Sequence, residues 1–415
     1  MKDANKRQQL RQDAFAIAQA AIRAVKPDEA VKRALSNISI SGNVYLVSVG
    51  KAAWQMAAAA VHCLEQPVKA GIVLTKYYHV MGDIPGVTCY EAGHPVPDEN
   101  SYAGTDAILQ MTANLSQDDT VLFLLSGGGS ALFEKPLVDP DVLQNVTERM
   151  LASGADIVQM NTIRKRLSTV KGGKFAKWCS PAKIEAIILS DILGDPLDMI
   201  ASGPAAADSS TCLEAMEIAE KYDLIIDATV RQCLSTETPK TVSNVHNQIV
   251  GSVKALCTAA ESASRQMGYA PVFLTDQLCC EAKEAGAYLG EMLKQHCNDG
   301  KKLAFIAGGE TVVRLTGNGL GGRNQELALS AARYIADIPN IALISVGSDG
   351  TDGPTDAAGG YVDGSTFADL KKQGFDYDSV MGNNDSYHAL KAVNGLVITG
   401  PTGTNVNDVV IGLIG

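Results

Sequence analysis

The chain has 415 residues, 46% of them hydrophobic and 20% charged, with a net charge of −11. That length exceeds one average domain and points to two, while the acidic balance argues against nucleic acid as a partner. No apolar run reaches the roughly 18 residues of a membrane helix, so no membrane partner is expected.

The polar N-terminus lacks a signal-peptide core. Nine scattered cysteines fit no zinc template and suit free thiols in a reducing cytosol, so a cytoplasmic location is expected. In chain order, residues 8–34 read as one amphipathic opening helix. Apolar runs of strand length follow at 44–49, 71–74, 121–125, 184–189, 270–274, 303–307, 341–346 and 395–399. Helical patterns separate most of them, at 52–64, 102–114, 139–152, 212–222, 252–267, 282–295 and 325–336. Strands apolar on both faces and alternating with helices predict an α/β protein whose sheets are largely parallel and covered on both sides. The polar stretch 235–247, which contains Pro239, marks the domain boundary. Residues 1–240 and 241–415 are thus expected to form two three-layer α/β/α domains.

The strand ends carry the chemistry. Gly50-Lys51 ends one strand just before an Ala-rich helix, where a lysine is unfavourable unless an anion joins it. Ser126-Gly127-Gly128-Gly129-Ser130 is a glycine turn whose backbone N–H groups suit an anion. Packing alone is the competing explanation. The turn fits neither the P-loop pattern nor the dinucleotide fingerprint. Ser190-Asp191 with Asp195, and Asp349 with Asp352 and Asp356, follow two further strands. Such carboxylates suit Mg²⁺ or the orientation of a hydroxyl, and equally suit plain turns.

Arg164, Lys165, Arg166, Lys171 and Lys174 form a basic run, with Arg164 or Lys171 the expected contributor to a cleft. His79, His94, His246 and His388 show no partner in sequence, and His94 sits in a loop motif, Gly93-His94-Pro95. Gly308-Gly309-Glu310-Thr311 and Gly321-Gly322-Arg323-Asn324-Gln325-Glu326 gather an acid, an arginine and glycines around a strand end and a helix start. A guanidinium there suits a carboxylate or phosphate, and the glycines suggest backbone held close to a ligand.

Together these segments resemble the class II glycerate kinases, which carry a C-terminal MOFRL domain. The likeness rests on Val49-Gly50-Lys51-Ala52, Gly93-His94-Pro95, Leu125 to Leu132, Asn161-Thr162-Ile163-Arg164-Lys165, Ser190-Asp191 and Gly194-Asp195. It continues through Ile200-Ala201-Ser202-Gly203-Pro204, the two glycine segments around Glu310 and Arg323, Gly347 to Gly353, and Gly400 to Asp408, in family order over nearly the whole chain. Asn383-Asn384-Asp385 stands where the family often has a more acidic run, which bears on any metal role there.

The resemblance implies a Rossmann-like N-terminal domain, a MOFRL region near 300–410 and an active site in the interdomain cleft. It implies phosphoryl transfer from ATP to D-glycerate with Mg²⁺, usually giving 2-phosphoglycerate, and a homodimer is the assembly considered. Lys51 and Arg323 are the implied catalytic cations. Asp191 or Asp349 would orient the attacking hydroxyl, and Asp195 and Asp352 would hold the metal. Ser126, Gly127, Gly128, Gly129, Ser130, Arg164, Gly309, Glu310, Thr311 and Asn324 would bind substrate or phosphate. Two rivals stay open: an NAD(P)H-dependent hydroxypyruvate reductase, and a non-catalytic module that binds sugar acids or nucleotides.

Overall fold

The alternation of apolar runs and helices becomes two separate sheets in the computed structural model, which describes residues 2–38, 40, 42–224 and 227–415. The chain divides into two compact units: Ala30–Val250, and a second made of Met1–Glu29 with Gly251–Gly415. The boundary expected at 240 therefore lies near 250, and the opening segment belongs with the C-terminal half. Nor is that segment one helix. Lys2–Ala24 ends before Pro27, and Pro27–Leu35 begins on it. Proline lacks an N–H and clashes with the preceding turn, so it fits only the start of a helix.

Ala30–Val250 holds strands β1 (Asn43–Val49), β2 (Ala70–Lys76), β3 (Val87–Ala92), β4 (Asp119–Leu125), β5 (Lys183–Leu189) and β6 (Val245–Gly251). Their order is β3-β2-β1-β4-β5-β6, with every pair from β3 to β5 parallel. Side chains alternate between faces. Val47, Val49, Val121, Phe123 and Leu125 pack on Ile108, Leu132 and Phe175 on one side. Leu46, Leu122 and Leu124 pack on Ala53, Met56, Ala57 and Ala60 on the other. Three layers result. Strand order reverses between β1 and β4, and open α/β sheets bind ligands beyond the strand ends at such a point.

The second unit holds β7 (Ala270–Leu278), β8 (Leu303–Gly309), β9 (Ile341–Gly347), β10 (Gly359–Asp363), β11 (Leu396–Val397) and β12 (Asp408–Ile414), ordered β11-β10-β9-β12-β8-β7. β7 and β8 are parallel, whereas β12 runs antiparallel to both β8 and β9. The start of β12 therefore meets the ends of its two neighbours: Asp408 pairs with Gly309 and Gly347. Helices Ala282–His296 and Arg323–Tyr334 share a core with this sheet. Helix Lys2–Ala24 packs on helix Val253–Gln266, β9 and β12, burying Leu10, Ile17 and Ile22. No helix among the described residues is long and apolar enough to cross a membrane.

Candidate active site

In Ala30–Val250 the site grows from the switch point between β1 and β4. The Ser126 N–H donates to Val49 O at 2.9 Å, the Lys51 N–H to Gly127 O at 2.8 Å, and the Ala52 N–H to Ser126 Oγ at 3.1 Å. These bonds lace the lysine-bearing loop to the glycine turn. Gly50 has φ +122°, and a Cβ there would lie 2.2 Å from Ser126 Oγ, so only glycine fits.

Gly128, at φ +89°, faces Lys51 Cγ and the His94 ring: a Cβ would meet them at 3.1 and 3.0 Å. A Cβ on Gly127 would lie 2.2 Å from Asp191 Oδ2. Lys51, His94 and Asp191 thus surround one turn. His79 adds a ring nitrogen 2.9 Å from Lys51 O. Partial burial, then the charges of Lys51 and Lys76 with His79, hold the His94 pKa below its ordinary value, so its ring is neutral at pH 7.

The far end of the turn is tied as well. Arg164 Nη2 donates to Ser130 O at 3.1 Å. The Ser130 and Ser202 hydroxyls lie 3.1 Å apart, and Ser202 donates to Asn161 Oδ1 at 2.7 Å. Arg164 is thus the member of the basic run that bonds to the turn, while three of its neighbours are sealed in the interior. Lys165 pairs with Asp198 and Asp208, Arg166 with Asp208 and Glu237, and Lys171 with Glu134 at 3.0 Å. Burial pushes the Lys171 pKa down to about 8. Lys171 is an interior strut, so the alternative that placed it in a cleft is corrected.

In the other unit Arg323 opens helix Arg323–Tyr334. Its Nε and Nη2 donate to the two oxygens of Asp408 at 2.6 and 3.1 Å, and Nη1 donates to Glu310 Oε1 at 2.7 Å. Burial opposes the Arg323 charge, but Asp408 and then Glu310 outweigh it and hold the pKa above its ordinary value. Desolvation lifts the Asp408 carboxyl to about 6 against the pull of Arg323, so the pair is ionised at neutral pH. Asp349 lies close by: a Cβ on Gly347 would sit 3.3 Å from Asp349 Oδ1 and 3.4 Å from Asp408 Oδ1. Arg323, Glu310, Asp349 and Asp408 form the cluster.

Several sequence assignments fail here on simple occupancy. Asp352 is 3% exposed, and its oxygens accept the backbone N–H groups of Asn324 and Gln325 at 3.1 and 2.9 Å. The Gln325 amide adds a further bond at 3.0 Å. Its lone pairs are taken up in capping the helix, so it is no metal ligand. Asn324, 2% exposed, accepts from Ser345 Oγ at 2.6 Å and is a core residue rather than a substrate contact. Thr311 is likewise buried. Close packing within the protein already requires glycine at three positions: a Cβ on Gly309, Gly321 or Gly322 would strike Leu278 O at 2.1 Å, Ser386 Oγ at 2.1 Å or Asp352 Cγ at 2.3 Å. Asn384 clamps the loop before Arg323. Its Oδ1 accepts from the Thr316 and Gly317 N–H groups, and its Nδ2 donates to Arg314 O.

Among the described residues no group of three or more His, Cys, Asp or Glu side chains is gathered as a metal cage. Mg²⁺ does not need one, since it keeps several waters and uses one or two carboxylates beside substrate phosphates. The half-buried Asp191 and Asp195, on one loop past β5, suit that mode. Asp408 was absent from the sequence-derived site, although its place at the head of the apolar run 408–414 is the signal that could have found it.

Comparison with known proteins gives this geometry a family. Residues 13–235 match the model described as a domain of unknown function, DUF4147, and residues 303–408 match the MOFRL family. The chain is 50% identical to a D-glycerate 2-kinase of Thermotoga maritima over 98% of both sequences. It is 39% identical to a glycerate 2-kinase of Pyrococcus horikoshii over 95% of both. A crystal structure of the glycerate kinase from Thermotoga maritima superposes with a TM-score of 0.94, covering 98% of this chain and all of that one. With both family models matched in order and relatives alike over 95% or more of their length, the chain belongs to the DUF4147–MOFRL family of glycerate kinases.

Proposed function

We propose that this protein is an ATP-dependent glycerate 2-kinase, moving the γ-phosphoryl group of ATP to the 2-hydroxyl of D-glycerate to give 2-phosphoglycerate and ADP. The observation that carries the reading is the glycine turn with Lys51 laced against it, in a chain 50% identical along its length to a D-glycerate 2-kinase. Phosphoryl transfer needs little covalent chemistry from the protein; it needs positioning and charge stabilisation.

Lys51 and the N–H groups of the turn hold phosphate or carboxylate oxygens. Neutral His94 beside Lys51 adds no competing positive charge. Arg323, aimed by Asp408 and Glu310, supplies a second cation to the same reaction. Asp191 or Asp349 accepts a hydrogen bond from the attacking hydroxyl and orients it. Asp191 and Asp195 would hold a Mg²⁺, which would supply positive charge to offset that of the phosphates.

A coupled ADP-release assay with D-glycerate and Mg²⁺, followed by identification of the product, tests the reading. ADP release that depends on D-glycerate, with 2-phosphoglycerate as product, is expected. Release no faster than a blank without glycerate removes the kinase assignment, and oxidation of NADH by hydroxypyruvate in a parallel cuvette would favour the reductase.

A further inference from the structure

Ser130 closes the glycine turn with its side chain half-buried, and its hydroxyl lies 3.1 Å from that of Ser202. A serine hydroxyl has one proton to donate and two lone pairs to accept. Ser202 commits its proton to Asn161 Oδ1 at 2.7 Å. The Ser130–Ser202 contact can then run only one way, with Ser130 as donor. Ser202 and Asn161 are 0% and 3% exposed, so water does not compete for the order. Ser130 is left with lone pairs, and no proton, to offer whatever enters the turn.

The backbone around Ser202 is held as if this mattered. Ala201 and Ser202 have φ 49° and 60°, a left-handed conformation that non-glycine residues rarely adopt and that tends to occur at functional sites. Gly172 N–H to Ser202 O at 2.9 Å and Ser202 N–H to Met199 O at 3.0 Å staple it in place. Glycine would satisfy this backbone more easily, yet the hydroxyl is what completes the chain to Asn161.

We propose that Asn161 and Ser202 are positioning residues that fix Ser130 as a hydrogen-bond acceptor for a hydroxyl of the substrate acid, so that the site selects hydroxy acids bearing that group. An anionic oxygen at Ser130 Oγ would meet lone pair against lone pair and is turned instead toward the N–H donors of the turn. The inference rests on the glycerate kinase reading and adds which kind of substrate group meets Ser130.

The test compares D-glycerate with D-lactate and 3-hydroxypropanoate, which each lack one of its two hydroxyls, by calorimetric binding and as inhibitors of ADP release by the full-length protein. In the wild type one of the two deoxy acids is expected to bind about tenfold more weakly than D-glycerate, the scale of one lost hydrogen bond at a prepared site. In Ser130→Ala and Ser202→Gly that gap closes to about twofold or less, because only the hydroxyl contact is lost. Ser202→Gly suits the left-handed backbone and keeps the fold. Asn161→Asp retains an acceptor for Ser202 and keeps the gap, whereas Asn161→Leu loses it. A gap that survives in Ser130→Ala or Ser202→Gly, equal weakening of all three acids, or no gap in the wild type overturns the proposal. Absence of ADP release by the wild type would instead strike the kinase reading, and the binding comparison would still read the gap.

Discussion

Arg323 is held by two carboxylates of different character, one exposed in Glu310 and one buried in Asp408, which is 5% exposed. The buried partner gives the arginine its direction. With the Asp408 carboxyl raised to about 6, acidification through that value protonates it and releases the bidentate grip. Activity is therefore expected to fall below about pH 6 through loss of Arg323 alignment. In Asp408→Asn this limb should vanish from the pH profile of kcat/KM, leaving a lower and flatter curve; an unchanged limb would assign it to another group. Lys51→Ala should lower kcat/KM by about 10²- to 10³-fold, the range seen when one charge-stabilising donor is removed. Arg323→Lys should lose much of its activity despite keeping the charge, since an ammonium cannot make the fork to Asp408. Wild-type turnover in both variants would remove these two residues from the mechanism.

At the scale of elements, helix Arg323–Tyr334 starts without a side-chain cap of its own, because its N-cap is Gly322. Asp352 supplies the missing acceptor from a distant loop, one oxygen to each of two N–H groups. Asp352→Ala should cost about 3 kcal/mol, combining a lost cap with buried donors left unpaired, as read by urea unfolding. Loss within experimental error would mean that water replaces the carboxylate. This capping role was not legible in the sequence, where Asp352 looks like a ligand in an Asp- and Gly-rich turn. The basic run misleads in the same way: Lys171 reads as a cleft cation, and nothing beside Lys165 or Arg166 shows that they are buried, because the partners Asp198, Asp208 and Glu134 are distant or unremarkable in sequence.

Strands apolar on both faces, such as β1, β4, β8 and β9, were plain in the sequence. β3 and β6 escaped because their residues are mostly half-buried and polar ones are mixed in. β12 is fully buried, yet its run lies past a glycine-rich loop at the C-terminus and runs antiparallel in a sheet expected to be largely parallel. With β12 unseen, Asp408 stood only at the end of a motif and was not placed in the site. The turn residues fared better, since the chemistry of Gly50, Lys51 and the Ser126–Ser130 backbone is local. Positive φ at Gly50 and Gly128 is a property that glycine announces in sequence.

The whole chain is organised as one unit interrupted by another, with Met1–Glu29 rejoining Gly251–Gly415. Deleting residues 2–24 should therefore destabilise the C-terminal unit by on the order of 5 kcal/mol, since Leu10, Ile17 and Ile22 are buried there. Separate unfolding probes, one in each unit, should show the loss in Gly251–Gly415 and little change in Ala30–Val250; the reverse pattern would refute the assignment of the first helix. The same interruption sets a timetable for biosynthesis. The inserted unit is complete once residue 250 has emerged and can close its core at that moment, whereas helix Lys2–Ala24, made before it, must wait for β12, which is made after it. A protease pulse on stalled nascent chains should find residues 30–250 resistant while helix Lys2–Ala24 is still being cut, so a segment made before the inserted unit is sheltered after it.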